Sequence, residues 1–245
     1  MCIRDSYVSL EEYYFLLGQI RKSIEFLELS FMEYEKYAPA LMIVDKKSES
    51  LGTYLTAGDT TKAHQVYEEL LAQMITPPLD ILISFLHLNY YLERKEVEKA
   101  EINLAKAEEA ADILQFEIAR PVLFEAQARI HEIKGEYKLA IENYLKQLEL
   151  DPTNSGIHVN IGRCYRNLRD FKKAEEHIQT NLSIHPFHPE TNFEMALVLA
   201  ETGKTEEALN HLNIANKVWA EADPEYRPAM LVREKIDQLG KLTKR

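Results

Sequence analysis

A chain of 245 residues with a formal net charge of −11 carries its acidity as Glu-rich helical faces spread along its length with no basic block, which disfavours nonspecific binding to nucleic acid or to anionic membranes. With 46% hydrophobic and 28% charged residues it has the composition of a packed fold rather than a disordered chain. The apolar runs 79–88 and 193–200 are too short to cross a bilayer and are interrupted by Ser, His or Glu.

Residues 1–6, Met-Cys-Ile-Arg-Asp-Ser, resemble one reading frame of a widely used sequencing adapter and are set aside as non-native. The native sequence before Tyr7 is then expected to be missing. Cys2 goes with them, which leaves Cys164 alone, without a disulfide partner or a metal-site spacing. Its place in an apolar helical stripe makes it a small core residue rather than a nucleophile.

From Tyr7 onward the chain reads as helix pairs. The first pair, 7–37, puts Tyr7, Leu10 and Tyr14 on one stripe and Ile20, Ser23, Ile24 and Leu27 on the next. The second, 38–78, is looser, with Leu51, Tyr54 and Leu55 as core candidates, Lys46-Lys47 blurring its start, and Thr76-Pro77-Pro78 stopping it. The third, 79–115, opens on Leu79 to Leu86, apolar nearly all round and so expected to be covered on several sides, and continues in an Ala-rich helix from Val97 to about Ile113. Pro121 then marks a first helical turn in the fourth pair, 116–154. The fifth spans 155–188 and the sixth 189–222, whose second helix runs on through Trp219. Glu225 to about Gly240, within a tail of 223–245, reads as a terminal amphipathic helix with Tyr226, Met230, Ile236 and Leu239 inward and Arg233, Glu234, Lys235 and Gln238 outward.

One ruler runs through all six pairs. A small residue near the start of each second helix falls at Ser23, Ala63, Ala100, Ala140, Ala174 and Ala208, at intervals of 40, 37, 40, 34 and 34 residues. A bulky residue follows four positions later, at Leu27, Tyr67, Leu104, Tyr144, Ile178 and Leu212. Five positions earlier stand Gly18, Gly58, Gly135 and Gly203, where a turn needs positive φ. Lys95 and Arg169 hold that slot in the third and fifth pairs, so those turns are expected to be slightly strained or differently wound.

Ile161-Gly162-Arg163-Cys164-Tyr165, then Ala174-x-x-x-Ile178 and Pro186, resembles the signature of the tetratricopeptide-repeat family. The resemblance is strong in pairs four to six and weak in one to three. It implies an all-α, right-handed superhelical α-solenoid of about six hairpins closed by a C-terminal capping helix, since a hairpin cannot bury its apolar face alone. It also implies a concave wall of first helices, which in related proteins holds an extended or helical peptide.

Catalytic and metal constellations are not found. His131-Glu132-Ile133-Lys134-Gly135 lacks the second His of a zinc-protease helix, and adjacent carboxylates such as Glu108-Glu109, Glu175-Glu176 and Glu206-Glu207 diverge on their helices. His185-Pro186-Phe187-His188 has no carboxylate or cysteine at ligand spacing and reads as an inter-repeat loop. The expectation is therefore no catalytic residue, no metal and no cofactor. Asn160, Arg163 and Asn167 share a first-helix stripe, Arg166 flanks it, and Arg129 and Asn89 hold equivalent places in pairs four and three. These six are the candidate contacts to a protein or peptide partner rich in carboxylates or carbonyls, and pairing of Arg163 and Arg166 with Glu194 and Glu201 is the competing reading. Laying the chaperone-tail clamp of the family on pairs four to six gives Glu125, Arg129, Asn160, Glu190 and Glu194. Only Asn160 agrees, so that adaptor role is not expected. The function read from the sequence is a noncatalytic interaction scaffold. The alternative is the C-terminal sensing or docking arm of a larger bacterial enzyme or regulator, which an in-frame effector domain upstream of Tyr7 would reveal.

Overall fold

The computed structural model of the protein describes residues 3–37, 40–75 and 82–242, and every regular element among them is a helix. The chain divides into two compact units, Met1–Ala119 and Arg120–Arg245. The first holds α1 (Ile3–Leu16), α2 (Ile20–Tyr37), α3 (Ala40–Thr56), α4 (Thr60–Met74), α5 (Ile83–Glu93), α6 (Val97–Ile113) and a 3-10 turn at Glu117–Ala119. The second holds α7 (Arg120–Ile133), α8 (Tyr137–Leu150), α9 (Gly156–Asn167), α10 (Phe171–Ile184), α11 (Pro189–Glu201), α12 (Thr205–Val218) and α13 (Arg227–Leu242). The Pro77-Pro78 stop and the expected start at Leu79 lie outside the described residues.

Consecutive helices pair as hairpins, and within each unit the second helix of one hairpin packs on the first helix of the next. First helices also meet one another, α3 with α5 and α9 with α11. Each unit is thus a stretch of α-solenoid whose core continues from hairpin to hairpin. Helix α5 is covered on several sides as its composition requires: none of its residues is exposed.

The turn inside each hairpin is the same object six times. Gly18, Gly58, Gly135 and Gly203 have φ between +69° and +78°, and Lys95 and Arg169 adopt the same left-handed conformation at 58° and 62°. These two turns are therefore wound like the others, at the steric cost a Cβ brings to positive φ. In each, the left-handed residue and its successor donate back to the preceding helix, as Gly135 N to Glu132 O (3.0 Å) and Glu136 N to His131 O (2.8 Å), which satisfies its last carbonyls. That successor opens the next helix, and its own carbonyl accepts from the small residue four positions on, as Glu136 O from Ala140 N at 3.1 Å. The five-residue spacing in the sequence is this geometry.

All six small residues are 0% exposed. The hydroxyl of Ser23 finds no hydrogen-bond partner, so size rather than polarity fits that position. In the second unit a second small residue stands on the first helix of each hairpin, twelve positions earlier: Ala128, Gly162 and Ala196, all buried. The first unit has Glu11, Leu51 and Leu88 there. A Cβ on Gly162 would sit 2.5 Å from Ile178 Cγ1 and 3.2 Å from the Ala174 carbonyl oxygen.

Lys46 and Lys47 do not interrupt α3, because carboxylates reach them: Lys46 Nζ lies 3.6 Å from Glu11 and 3.3 Å from Glu49, and Lys47 Nζ lies 2.7 Å from Glu35. At the far end, α13 packs on α12 through Tyr226, Ala229, Val232 and Leu239. Met230 and Ile236, expected inward with them, are half-buried, since the buried stripe runs through Ala229 and Val232 instead. Gly162→Ala is expected to destabilise the chain by about 1–3 kcal/mol in urea unfolding, because Ile178 has no room to yield. The equivalent Ala196→Gly should cost about 1–2 kcal/mol, the helix-propensity term plus the loss of one fully buried methyl.

Candidate functional site

Two hairpins of the second unit, those of α7 and α9, carry five of the six predicted stripe residues, and their cations are already spoken for. Glu132 on α7 is the hub. Arg163 on α9 reaches it with two nitrogens, Nε to Oε1 at 3.0 Å and Nη2 to Oε2 at 3.2 Å, while the Tyr144 hydroxyl on α8 donates to Oε2 at 2.6 Å. Burial would push the Glu132 carboxyl up, but the hydrogen bonds and charge of Arg163, with the Tyr144 donor, outweigh it and hold the group below the usual carboxylate range. Arg163 is in turn held above its ordinary value by Glu132 despite its own burial. The neighbouring Cys164 thiol is pushed up by burial and then by the Glu132 charge. A thiol so disfavoured as thiolate is inert, as its core position anticipates.

The competing reading of the sequence, pairing between repeats, thus describes how Arg163 and Arg166 are engaged, with a shift of one layer: Arg163 takes Glu132 of the preceding hairpin, whereas Arg166 Nε meets Glu194 Oε2 of the following one at 3.0 Å. Arg169 lies 3.7 Å from Glu201. Asn160 Oδ1 accepts from Arg163 Nη2 at 2.9 Å, and Asn167 Nδ2 donates to the Arg163 carbonyl at 2.9 Å. Arg129 on α7 is half-buried and partnered. Asn89 belongs to the first unit, where its Nδ2 donates to the Ser48 carbonyl at 3.3 Å.

A cavity of about 530 Å³ opens in the second unit beside this hub. Asn160 and Arg163 line it; Arg129, Arg166 and Asn167 do not. Its wall also includes residues the stripe did not single out as contacts, among them Glu125 on α7, Gln147 on α8, Val159 on α9, Glu190, Phe193 and Glu194 on α11, then Trp219 and, from α13, Pro228 and Leu231. The i, i+3 spacing of Pro228 and Leu231, off the buried stripe of α13, is the one sequence signal for that last contribution.

The loop between the fifth and sixth hairpins is fixed by its own polar bonds. His188 Nδ1 accepts from Thr191 N at 3.4 Å and so caps α11, ahead of Pro189. Thr191 Oγ1 donates to Asn181 Oδ1 at 2.8 Å, Asn181 Nδ2 donates to Ser155 Oγ at 3.0 Å, and Asn192 Nδ2 donates to the carbonyls of Pro186 and His188. In the fifth hairpin His158 and His177 face each other with their Nδ1 atoms 3.0 Å apart, Tyr165 stacked on His177. Both imidazoles titrate below their ordinary value: His158 through burial, and His177 through burial and then the charges of His158 and Lys173, against Glu176. Among the described residues no group of three or more His, Cys, Asp or Glu is placed to hold a metal ion, and no helix is long and apolar enough to cross a membrane.

Stacked hairpins with a small residue at each crossing give each unit the architecture of a tetratricopeptide-repeat array. Residues 124–154 and 155–187 each match the family model of the tetratricopeptide repeat. Human protein O-mannosyl-transferase TMTC3 is 29% identical over 120 residues, 44% of this chain and 12% of that protein. Response regulator aspartate phosphatase I of Bacillus subtilis is 35% identical over 77 residues, 27% of this chain and 20% of that one. The chain therefore spans less than a quarter of the length of either relative. Among solved structures, the APC/C hetero-tetramer Cut9–Hcn1 aligns with a TM-score of 0.56 at 14% identity, covering 96% of this chain and 42% of that one, a likeness of fold.

Glu132→Gln is expected to cost about 1–3 kcal/mol, less than a fully buried pair would, because the Arg163 side chain is 35% exposed. A cycle of Glu132→Gln, Arg163→Met and the double variant in urea unfolding should return a coupling of about 1–2 kcal/mol. A histidine whose folded pKa lies below its unfolded value of about 6.5 contributes stability that is complete above that value and shrinks as pH falls through it, since the unfolded chain then binds the proton first. The melting temperature is therefore expected to drop between pH 7.5 and 5.5, and His177→Gln should flatten, but not abolish, that slope, because His87, His188 and His211 are lowered too.

Proposed function

We propose that the chain is a noncatalytic docking module that holds a peptide segment of a protein partner against the first-helix wall of its second unit. The observation that supports this reading is the cavity of about 530 Å³, whose lining mixes apolar side chains with a few fixed polar groups, the make-up of a recognition pocket. Its walls are held by the Glu132–Arg163 and Arg166–Glu194 pairs and the capped loop before α11, so a ligand meets a preformed surface and the ordering cost of binding falls on the ligand alone.

A second reading places this module as the sensing or docking arm of a longer enzyme or regulator. It is favoured by the two relatives, each several times longer than the stretch that matches.

Panning a phage-displayed library of random dodecapeptides on the full chain tests the first proposal. Peptides recovered should bind the soluble chain in fluorescence anisotropy, and Val159→Trp, which fills the cavity from α9, should weaken them by at least about tenfold while leaving the helical circular-dichroism signal unchanged. Equal binding to Val159→Trp and to the unsubstituted chain would place the docking surface elsewhere.

A further inference from the structure

We propose that the occupant of the cavity is a cationic side chain, a Lys or Arg flanked by apolar residues in the partner segment; this rests on the docking reading above. The charges on the wall decide the sign. Four charged residues line it, Arg163, Glu125, Glu190 and Glu194. Arg163 is neutralised from behind by Glu132, and Glu194 by Arg166. Glu125 and Glu190 form no ion pair among the described residues, although Glu190 gains some support from its place in the first turn of α11. The groove is therefore an acidic site on an acidic protein, and the carboxylate-rich partner expected from the Asn and Arg stripe would meet like charge.

A second observation points the same way. Gln147, only 4% exposed, lines the cavity, donates its Nε2 to Glu125 Oε2 at 3.0 Å, and leaves its Oε1 without a hydrogen-bond partner. The donor fixes one face of the Glu125 carboxylate, and the carbonyl oxygen of the same amide, without a hydrogen-bond partner, adds negative potential there. Tyr226 registers the same field on the other side: burial, and then the charge of Glu190, push its hydroxyl above the ordinary range.

The apolar part of the wall supplies the other half of the recognition. Phe193, Pro228 and Leu231, all half-buried, line the cavity and offer a surface for the methylene stem of Lys or Arg, whose head then stays with the carboxylates. A short apolar side chain would leave both acids unanswered. An acidic one would be repelled by them and would find Arg163 already taken.

The dodecapeptides recovered above, labelled with fluorescein, test this. The expected result is that they contain Lys or Arg, and that Glu125→Gln together with Glu190→Gln weakens them by about tenfold or more at low salt. Both are isosteric changes that leave Gln147 an acceptor at position 125. Glu125→Lys with Glu190→Lys should shift a fresh panning toward peptides carrying Asp or Glu. Peptides that lack a basic residue, or that bind the Gln double variant as tightly as the unsubstituted chain while still failing on Val159→Trp, overturn the cationic occupant and leave the docking reading standing. If no recovered peptide is sensitive to Val159→Trp, both are overturned.

Discussion

Two antiparallel helices joined by a three-residue turn can lie flush only where a small side chain sits at their crossing, and this steric condition governs the rest of the molecule. It is met six times by a fully buried Ser or Ala, whose amide bonds to the carbonyl of the residue that opens its helix. Because that residue directly follows the left-handed turn, crossing and turn are locked in register, and a change in either displaces both. The hairpin so made has one face too apolar for water, and within each unit the next hairpin covers it. The first-helix slot shows how far the condition can relax. Ala128, Gly162 and Ala196 keep it tight in the second unit, whereas the first unit accommodates Glu11, Leu51 and Leu88 at the same distance from the crossing.

Once hairpins stack, their charges are sorted between layers. Arg163 reaches back one hairpin and Arg166 forward one, so that the first helices of three successive hairpins are stitched through α9. Such pairs add little net free energy, since desolvation offsets most of the attraction, but a mismatched layer would strand a carboxylate away from water. They also dispose of the cations. On the cavity wall the paired Arg163 stands among Glu125, Glu190 and Glu194.

The C-terminal helix joins these two themes. Tyr226, Ala229, Val232 and Leu239 close the last hairpin against α12, and Arg233 ties the join by donating to the Trp219 carbonyl at 3.0 Å. With two further apolar residues, Pro228 and Leu231, the same helix completes the cavity wall. A terminal cap is needed for solubility in any array of this kind; here it also shapes the surface on which a partner would sit.

The sequence by itself determined the hairpins, their number, the six crossing residues and the left-handed turns, because each of these depends on groups within about a dozen residues of one another, where helical geometry converts spacing directly into position. It also marked α5 as enclosed, His188 as a loop residue and Cys164 as core. Only the tertiary structure decided which carboxylate each arginine takes, why Lys46 and Lys47 sit comfortably inside α3, which side of α13 is buried, and that a cavity exists at all. An arginine side chain reaches several ångströms in any direction, so Glu132 and Glu194 were equally eligible partners for Arg163 until the stacking offset between hairpins chose one. The cavity gathers residues from 125 to 231, and no local pattern encodes a wall whose parts meet only after the hairpins of the second unit have packed on one another.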